Sequence, residues 1–210
     1  MKKLLVCLSI SFSFFTFAQN DTIKSFFAKG ELKEICYLDN TGTGQCFVYY
    51  QNGAMNSTFQ LLNNNREGPC LTFSKQQKLI SEENFSKGSL NGYATYYYES
   101  DSGNALDKMT QSKLMYRKGN YIDDFYEGEW ISFYQNGEIK QKGNYSKGSP
   151  EGIWSFYTLS GVLETSILYK EGKKNGEQLI FDLEKHKVTK RQYFLKDKLV
   201  TKRKFIKNNL

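Results

Sequence analysis

The side chains able to do chemistry are few and widely spread. Among 210 residues there is a single histidine, His186, and four cysteines, Cys7, Cys36, Cys46 and Cys70. General acid–base catalysis needs an imidazole or carboxylate held within hydrogen-bond reach of a second polar group. His186 lies in a basic stretch with no cysteine near it, so it completes no zinc set and reads as a surface residue. Asp123 and Asp124 are adjacent in a polar link. "DSGNALD" (Asp101 to Asp107) has two acids and an asparagine but not the ligand spacing of a calcium loop. Glycoside hydrolysis would need two carboxylates facing across a cleft, and nothing in the pattern singles out such a pair. The sequence therefore predicts a non-enzymatic protein with no catalytic residue, no metal and no cofactor.

The elements around these residues begin with a leader. "MKKLLVCLSISFSFFTFAQN" opens on two lysines, continues through an apolar run from Leu4 to Phe17 and meets Ala18, the layout of a secretory signal peptide over 1–19. The run is about 14 residues, short of the ~20 a membrane span needs. Export to the periplasm, the outer membrane or the extracellular space follows as an expectation, and such compartments permit disulfides. Cys7 leaves with the leader. That makes the remaining cysteine count odd.

From residue 20 the chain repeats. Gly44, Gly68 and Gly92 are 24 residues apart, as are Gly128, Gly152 and Gly176; the step from Gly92 to Gly128 is 36, one period plus a 12-residue insertion near 100–112. Five residues after each anchor stands an aromatic: Tyr49, Phe73, Tyr97, Phe133, Tyr157 and Phe181. Seven before each stand Tyr37, Leu61, Phe85, Tyr121, Tyr145 and Tyr169, with Tyr193 and Phe205 continuing the two columns into a partial last unit. Six matches in six make self-similarity the governing feature. The array is predicted over 20–206, with a basic end at 207–210.

Each unit reads as a β-hairpin. "EWISFY" (Glu129 to Tyr134) is rich in strand formers, "QNG" supplies a tight turn, and "EIKQKGNY" returns with alternating apolar residues. Polar glycine-bearing links such as "SKGSPEG" are expected to lead loosely to the next unit. No extended 3.6-residue apolar period is present. Because a lone hairpin is barely stable in water, units must pair edge to edge. The expected fold is all-β: an elongated open antiparallel sheet of stacked hairpin repeats of about 24 residues, its ends protected by lysines.

"YEGEW" (Tyr126 to Trp130), followed by a turn glycine and a return strand ending in "GNYSKG", resembles the MORN repeat in its bacterial variant. The resemblance runs over about residues 26–206. Tryptophan two places after the anchor occurs only as Trp130 and Trp154, with Cys46, Cys70, Ala94 and Gln178 at the other units. What the resemblance implies is a binding or assembly module. Some relatives associate with lipid head groups, others with partner proteins, and many exported bacterial relatives carry an antitoxin-like label.

Hairpin register then places Cys36 and Cys46 on facing strands within disulfide range, with Cys70 two strands from Cys46 and out of reach; three small buried hydrophobes are the other reading. The net charge of +7 is uneven. Lys2 and Lys3 belong to the leader, and from Lys185 to Leu210 ten lysines and arginines face Asp197 alone, leaving residues 21–184 acidic by four. The basic end, with Lys202, Arg203 and Lys204, is either a solvated edge or a holder of anionic surfaces. The two aromatic columns are expected to be packing. Aromatics outside them, Trp130, Trp154, Tyr96, Tyr98 and Tyr134, are the binding candidates. A protein partner is the leading expectation, an anionic lipid or glycan the alternative, and nucleic acid is not expected of an exported chain.

Overall fold

The computed structural model describes residues 21–99 and 115–208. The expected leader and the insertion near 100–112 lie outside them. Sixteen strands follow in chain order: β1 (Asp21–Phe26), β2 (Leu32–Leu38), β3 (Gly44–Tyr49), β4 (Met55–Leu62), β5 (Asn65–Phe73), β6 (Leu79–Ser86), β7 (Ser89–Leu90), β8 (Gly92–Tyr97), β9 (Met115–Ile122), β10 (Phe125–Phe133), β11 (Ile139–Ser146), β12 (Ser149–Tyr157), β13 (Leu163–Lys170), β14 (Lys173–Phe181), β15 (Val188–Leu195) and β16 (Lys198–Val200). They form one antiparallel meander whose two edges do not meet. A short helix, α1 (Lys202–Lys207), ends the described chain. The all-β, open, hairpin-repeat architecture is thus present along the whole described array.

Turns of two kinds alternate along the sheet. At one end the loops are wider. In the β10–β11 turn the Gly137 N–H donates to the Tyr134 carbonyl at 3.0 Å and the Tyr134 N–H to the Glu138 carbonyl at 2.8 Å. At the other end the links expected to be loose are two-residue turns with left-handed φ at both positions, such as Lys147 (48°) and Gly148 (78°). That geometry matches the twist of the flanking strands, so the link residues extend the strands rather than separate the units. Asn63–Asn64, Asp123–Asp124 and Lys196–Asp197 make the same turn without glycine.

The anchor glycines Gly68, Gly128, Gly152 and Gly176 mark bulges, whereas Gly44 lies in unbroken register. Between Glu127↔Asn120 and Ile131↔Lys118 strand β10 carries two more residues than β9, and Gly128 takes φ +67° there. The same excess recurs in β12, where Gly152 has φ +71°. A left-handed residue of this kind is cheap only for glycine. Each bulge turns the next residues over one face, which is how a single-layer sheet encloses a core.

That core is a row of directly opposed residues on one face. Cys36 opposes Cys46, Cys46 opposes Phe59, Phe59 opposes Cys70; further on Ala94 opposes Gly119, Trp130 opposes Gly143, and Trp154 opposes Ile167. All are buried. Large and small residues alternate because each indole lies flat on the neighbouring backbone. A Cβ built on Gly119 would come within 2.2 Å of the Trp130 ring, and one on Gly143 within 2.2 Å of Trp154. The repeated "KGNY" therefore supplies the floor beneath a tryptophan.

The C-terminal segment departs from the repeat. Expected as an edge strand with Phe205 in the aromatic column, it is helical instead. The Thr201 hydroxyl accepts from the Lys204 N–H at 3.3 Å as N-cap, and the Phe205 ring packs 5.2 Å from Tyr193. The helix so packs back against β15.

Candidate functional site

Trp130 and Trp154, expected to offer binding rings, are core. They are 2% and 5% exposed. The Trp130 Nε1–H donates to the Asn120 carbonyl at 2.9 Å and that of Trp154 to Asn144 at 3.0 Å. Tyr121, Tyr126 and Tyr145 surround Trp130 with ring centroids 4.7–6.5 Å away, and Tyr145 and Tyr169 bracket Trp154 at 5.0 and 6.3 Å. Of the two expected packing columns, the one seven residues before the anchor joins this ridge except at Tyr37, which is exposed and faces the other side, edge-on to Phe47. The column five after the anchor lies on the opposite face, because Trp130 and Phe133 are three residues apart on one strand. Its six aromatics are all half-buried.

Tyr98 and Tyr134 are clasps between units. The Tyr134 hydroxyl donates to the Tyr157 carbonyl at 2.8 Å, Tyr98 to Phe133 at 2.8 Å, and Tyr50 likewise to Phe73 at 2.9 Å. Where this position is Ser74, Thr158 or Asp182, the side-chain oxygen accepts from its own turn instead. Tyr96 is tied into a buried polar chain. Its hydroxyl donates to Glu83 at 2.7 Å and lies 3.0 Å from the Tyr121 hydroxyl.

Arg117 closes this cluster, a residue the sequence reading missed. Its guanidinium carbon lies 4.4 Å from the ring centroids of both Tyr126 and Trp130. Burial pushes the Tyr96 phenol far up, and burial together with Tyr126 carries Tyr121 up to about 12. Burial also raises Tyr126, but hydrogen bonds from Tyr121 and Arg117 and the guanidinium charge outweigh it and leave that phenol below its ordinary value. The signal for Arg117 was a column otherwise uncharged apart from the exposed Lys33: the remaining matching positions of the full units are Ser57, Ser81, Gln141 and Thr165.

The carboxylates at the narrow end serve the repeat. Glu67, Glu127 and Glu151, each preceding an anchor glycine, accept the turn N–H of the next unit from Lys87, Lys147 and Glu171 at 2.7–2.9 Å. Asn175 does the same for Lys196 at 3.2 Å. Asp124 accepts from the Leu90 N–H at 2.7 Å, and Asp123 from the Asn91 side chain at 3.2 Å. His186 forms part of the β14–β15 turn, its N–H donating to the Asp182 carbonyl at 2.9 Å.

Cys36 and Cys46 are joined, with Sγ–Sγ 2.01 Å and Cα–Cα 4.1 Å, and Cys70 is a buried thiol. Glu34 stands beside the pair, and the disulfide occupies both sulfurs of this would-be metal trio. Lys202, Arg203 and Lys204 are exposed on helix α1. "DSGNALD" lies outside the described residues. Near β1, Lys29, Glu31, Tyr50, Gln51, Asn52 and Lys75 line an open depression of about 430 Å³.

Among the described residues two surfaces are left without structural duties. One is the backbone of β1, whose Ile23 and Phe26 are 57% and 56% exposed. The other is the sheet face opposite the tryptophan ridge.

This arrangement defines a class: an open single-sheet scaffold of hairpin repeats, locked from unit to unit at both ends. Residues 126–147 match the family model for the MORN repeat variant, so the chain carries that repeat. No curated protein matches the chain. Among solved structures, "Crystal Structure of TcdB2-TccC3-Cdc42" is similar at 13% identity over 83% of this chain and 9% of that one, with a TM-score of 0.24. The Photorhabdus luminescens Tc holotoxin pore is similar at 14% identity over 82% of this chain and 9% of that one, with a TM-score of 0.25. The chain thus spans under a tenth of those proteins, and the overlap carries no functional argument.

Proposed function

We propose that this chain is an exported, non-enzymatic scaffold that binds a protein partner by adding one of the partner's extended segments to β1. The observation that carries the reading is the asymmetry of the edges. Helix α1 packs back against β15 beside the short last strand, whereas β1 is a six-residue strand with a neighbour on one side alone among the described residues.

The direction of its free groups follows from the register. A Cα–Cα distance of 4.1 Å at Cys36–Cys46 belongs to a pair that exchanges no backbone hydrogen bonds. The backbone groups of Cys36 therefore turn toward Ile23, its partner in β1. Thr22 and Lys24, which alternate with Ile23, direct their N–H and C=O groups outward. Such a row is a template for strand addition, and the locked repeats hold it rigid.

Thr22→Pro and Lys24→Pro remove outward donors alone, a change edge strands tolerate. The full chain and both variants should be used to capture exported and envelope proteins of the source organism, beside a variant lacking residues 100–112. A partner retained by the full chain and lost with either proline, with slowed amide exchange at Thr22 and Lys24 in the complex, is the expected result. A partner kept by the proline variants and lost with the deletion would transfer the binding role to the insertion. Export is tested separately by the mature N-terminus, expected at Gln19 or Asn20.

A further inference from the structure

We propose that the sheet face opposite the tryptophan ridge binds an extended anionic polysaccharide lying across the strands, centred on Phe133 and the lysines Lys118, Lys140 and Lys142. This rests on the binding-module reading and is independent of the β1 edge.

Side-chain alternation puts Ile131 and Phe133 on that face, since Trp130 is on the other. Ile131 opposes Lys118 on one side and Lys142 on the other. The Lys118 Nζ is 5.5 Å from the Phe133 ring centroid, and the exposed Lys140 follows Ile139, the residue opposed to Phe133. Strands β9 and β11 contain no acid, and β10 adds Glu127 and Glu129 to this face, Glu127 being engaged by the Lys147 N–H at the narrow end. The positions matching Lys118 and Lys142 in other units are Glu34, Thr58, Glu82 and Ser166, with Lys190 in the partial last unit. Lysine stands here in two successive units only at Lys118 and Lys142, on the two strands that flank Phe133. Packing of the repeat does not call for it.

The rings give the ligand its direction. Tyr97, Phe133 and Tyr157 are on alternate strands, so they recur every ~9.6 Å across the sheet. Two sugars of an extended 1,4-linked chain repeat over nearly the same distance, and the apolar face of a sugar stacks on an aromatic ring. Acidic sugars along that chain would meet the lysines between rings. A membrane surface fits less well: the protruding apolar residues form two small cross-strand pairs, Phe125 with Ile122 and Ile153 with Leu168, on separate strand pairs rather than one continuous patch.

The test is affinity electrophoresis of the full chain in gels containing polygalacturonate, a neutral β-1,4-glucan of similar length or neither, with flotation on phosphatidylglycerol vesicles alongside. Polygalacturonate should retard the protein, weaken about tenfold or more in the K118E/K140E/K142E variant and with added salt, and be unaffected by Thr22→Pro. Lys140→Gln with Lys142→Gln, a milder pair, should lose part of the retardation if the triple variant does not fold. Equal retardation by the neutral glucan would overturn the anionic class. The same holds for binding to vesicles alone, retardation unchanged in both lysine variants, or no retardation at all.

Discussion

Replacing Gly119 by alanine probes the core directly. Gly119 lies outside the left-handed region, so alanine meets no backbone strain there. The new Cβ would fall 2.2 Å from Trp130 Cδ2 and 2.3 Å from Cε2, where a carbon cannot be accommodated without moving the indole. Overpacking of this kind costs about 1–3 kcal/mol. A displaced indole also strains its bond to the Asn120 carbonyl, about 1 kcal/mol, and its edge contacts with Tyr121 and Tyr126, about 0.5–1.5 kcal/mol each. Against these, alanine gains roughly 0.5–1 kcal/mol over glycine in a strand. The expected net loss is about 3 kcal/mol. In a Trp130→Ala background the same change should be neutral or slightly stabilising, so the coupling energy should itself be about 3 kcal/mol. Urea unfolding followed by circular dichroism and Trp154 fluorescence measures all four corners of the cycle. Gly137→Ala is the contrast: with open space around it and φ +87°, it should cost only the left-handed penalty, about 1–2 kcal/mol, in either background. A Gly119→Ala effect below about 0.5 kcal/mol, or one of equal size with and without the indole, would refute the stacked-floor account.

Reduction of Cys36–Cys46, separated by 10 residues, should lower stability by about 3 kcal/mol, read as a drop in melting temperature that Cys36→Ser with Cys46→Ser reproduces. Burial pushes the Cys70 thiol up and so disfavours its thiolate, and iodoacetamide should modify Cys70 only in denaturant, as mass spectrometry will report. Tyr134→Phe and Glu127→Ala each remove one bond between units and should cost about 1 kcal/mol apiece, adding when combined because they lie at opposite ends of the sheet. Tyr97 and Tyr121 are pushed up to about 12, chiefly by burial. A raised folded-state value means the unfolded chain ionises first, so stability should be intact below pH 10 and fall between pH 10 and 12. Tyrosinate absorbance should lag the denatured control over the same interval.

The repeat, its period and its all-β outcome were legible because glycine anchors and aromatic columns survive as spacing. The cross-strand partners were not. The bulge inserts two residues between Glu127 and Ile131, which keeps the alternation along the strand but shifts every cross-strand partner beyond it, so which residues meet could not be counted from the anchor. That is why Trp130 and Trp154, rare in their column, look like exceptions in the sequence and are the centre of the core in space. The tight link turns were obscured for a related reason: Asp123–Asp124 and Asn63–Asn64 carry left-handed φ without the glycine that normally announces it. At the C-terminus Thr201 caps a helical turn and Phe205 finds Tyr193, a tertiary contact that spacing alone had assigned to another strand.

Rarity within a column is thus an ambiguous sign, and burial decides what it means. Trp130, Arg117 and Glu83 break their columns on the enclosed face and find partners there, Arg117 over the Trp130 ring and Glu83 at the Tyr96 hydroxyl, so their differences are absorbed within the core. Lys118 and Lys142 break theirs on the open face. There no ion pair among the described residues engages them, and the one structural contact, Lys118 over Phe133, is exchangeable with solvent at little cost. A cation stripe beside half-buried rings increases self-repulsion in the folded array without strengthening any unit-to-unit lock. Stability does not explain its retention at that place, whereas an acidic ligand crossing the strands would turn the same repulsion into attraction.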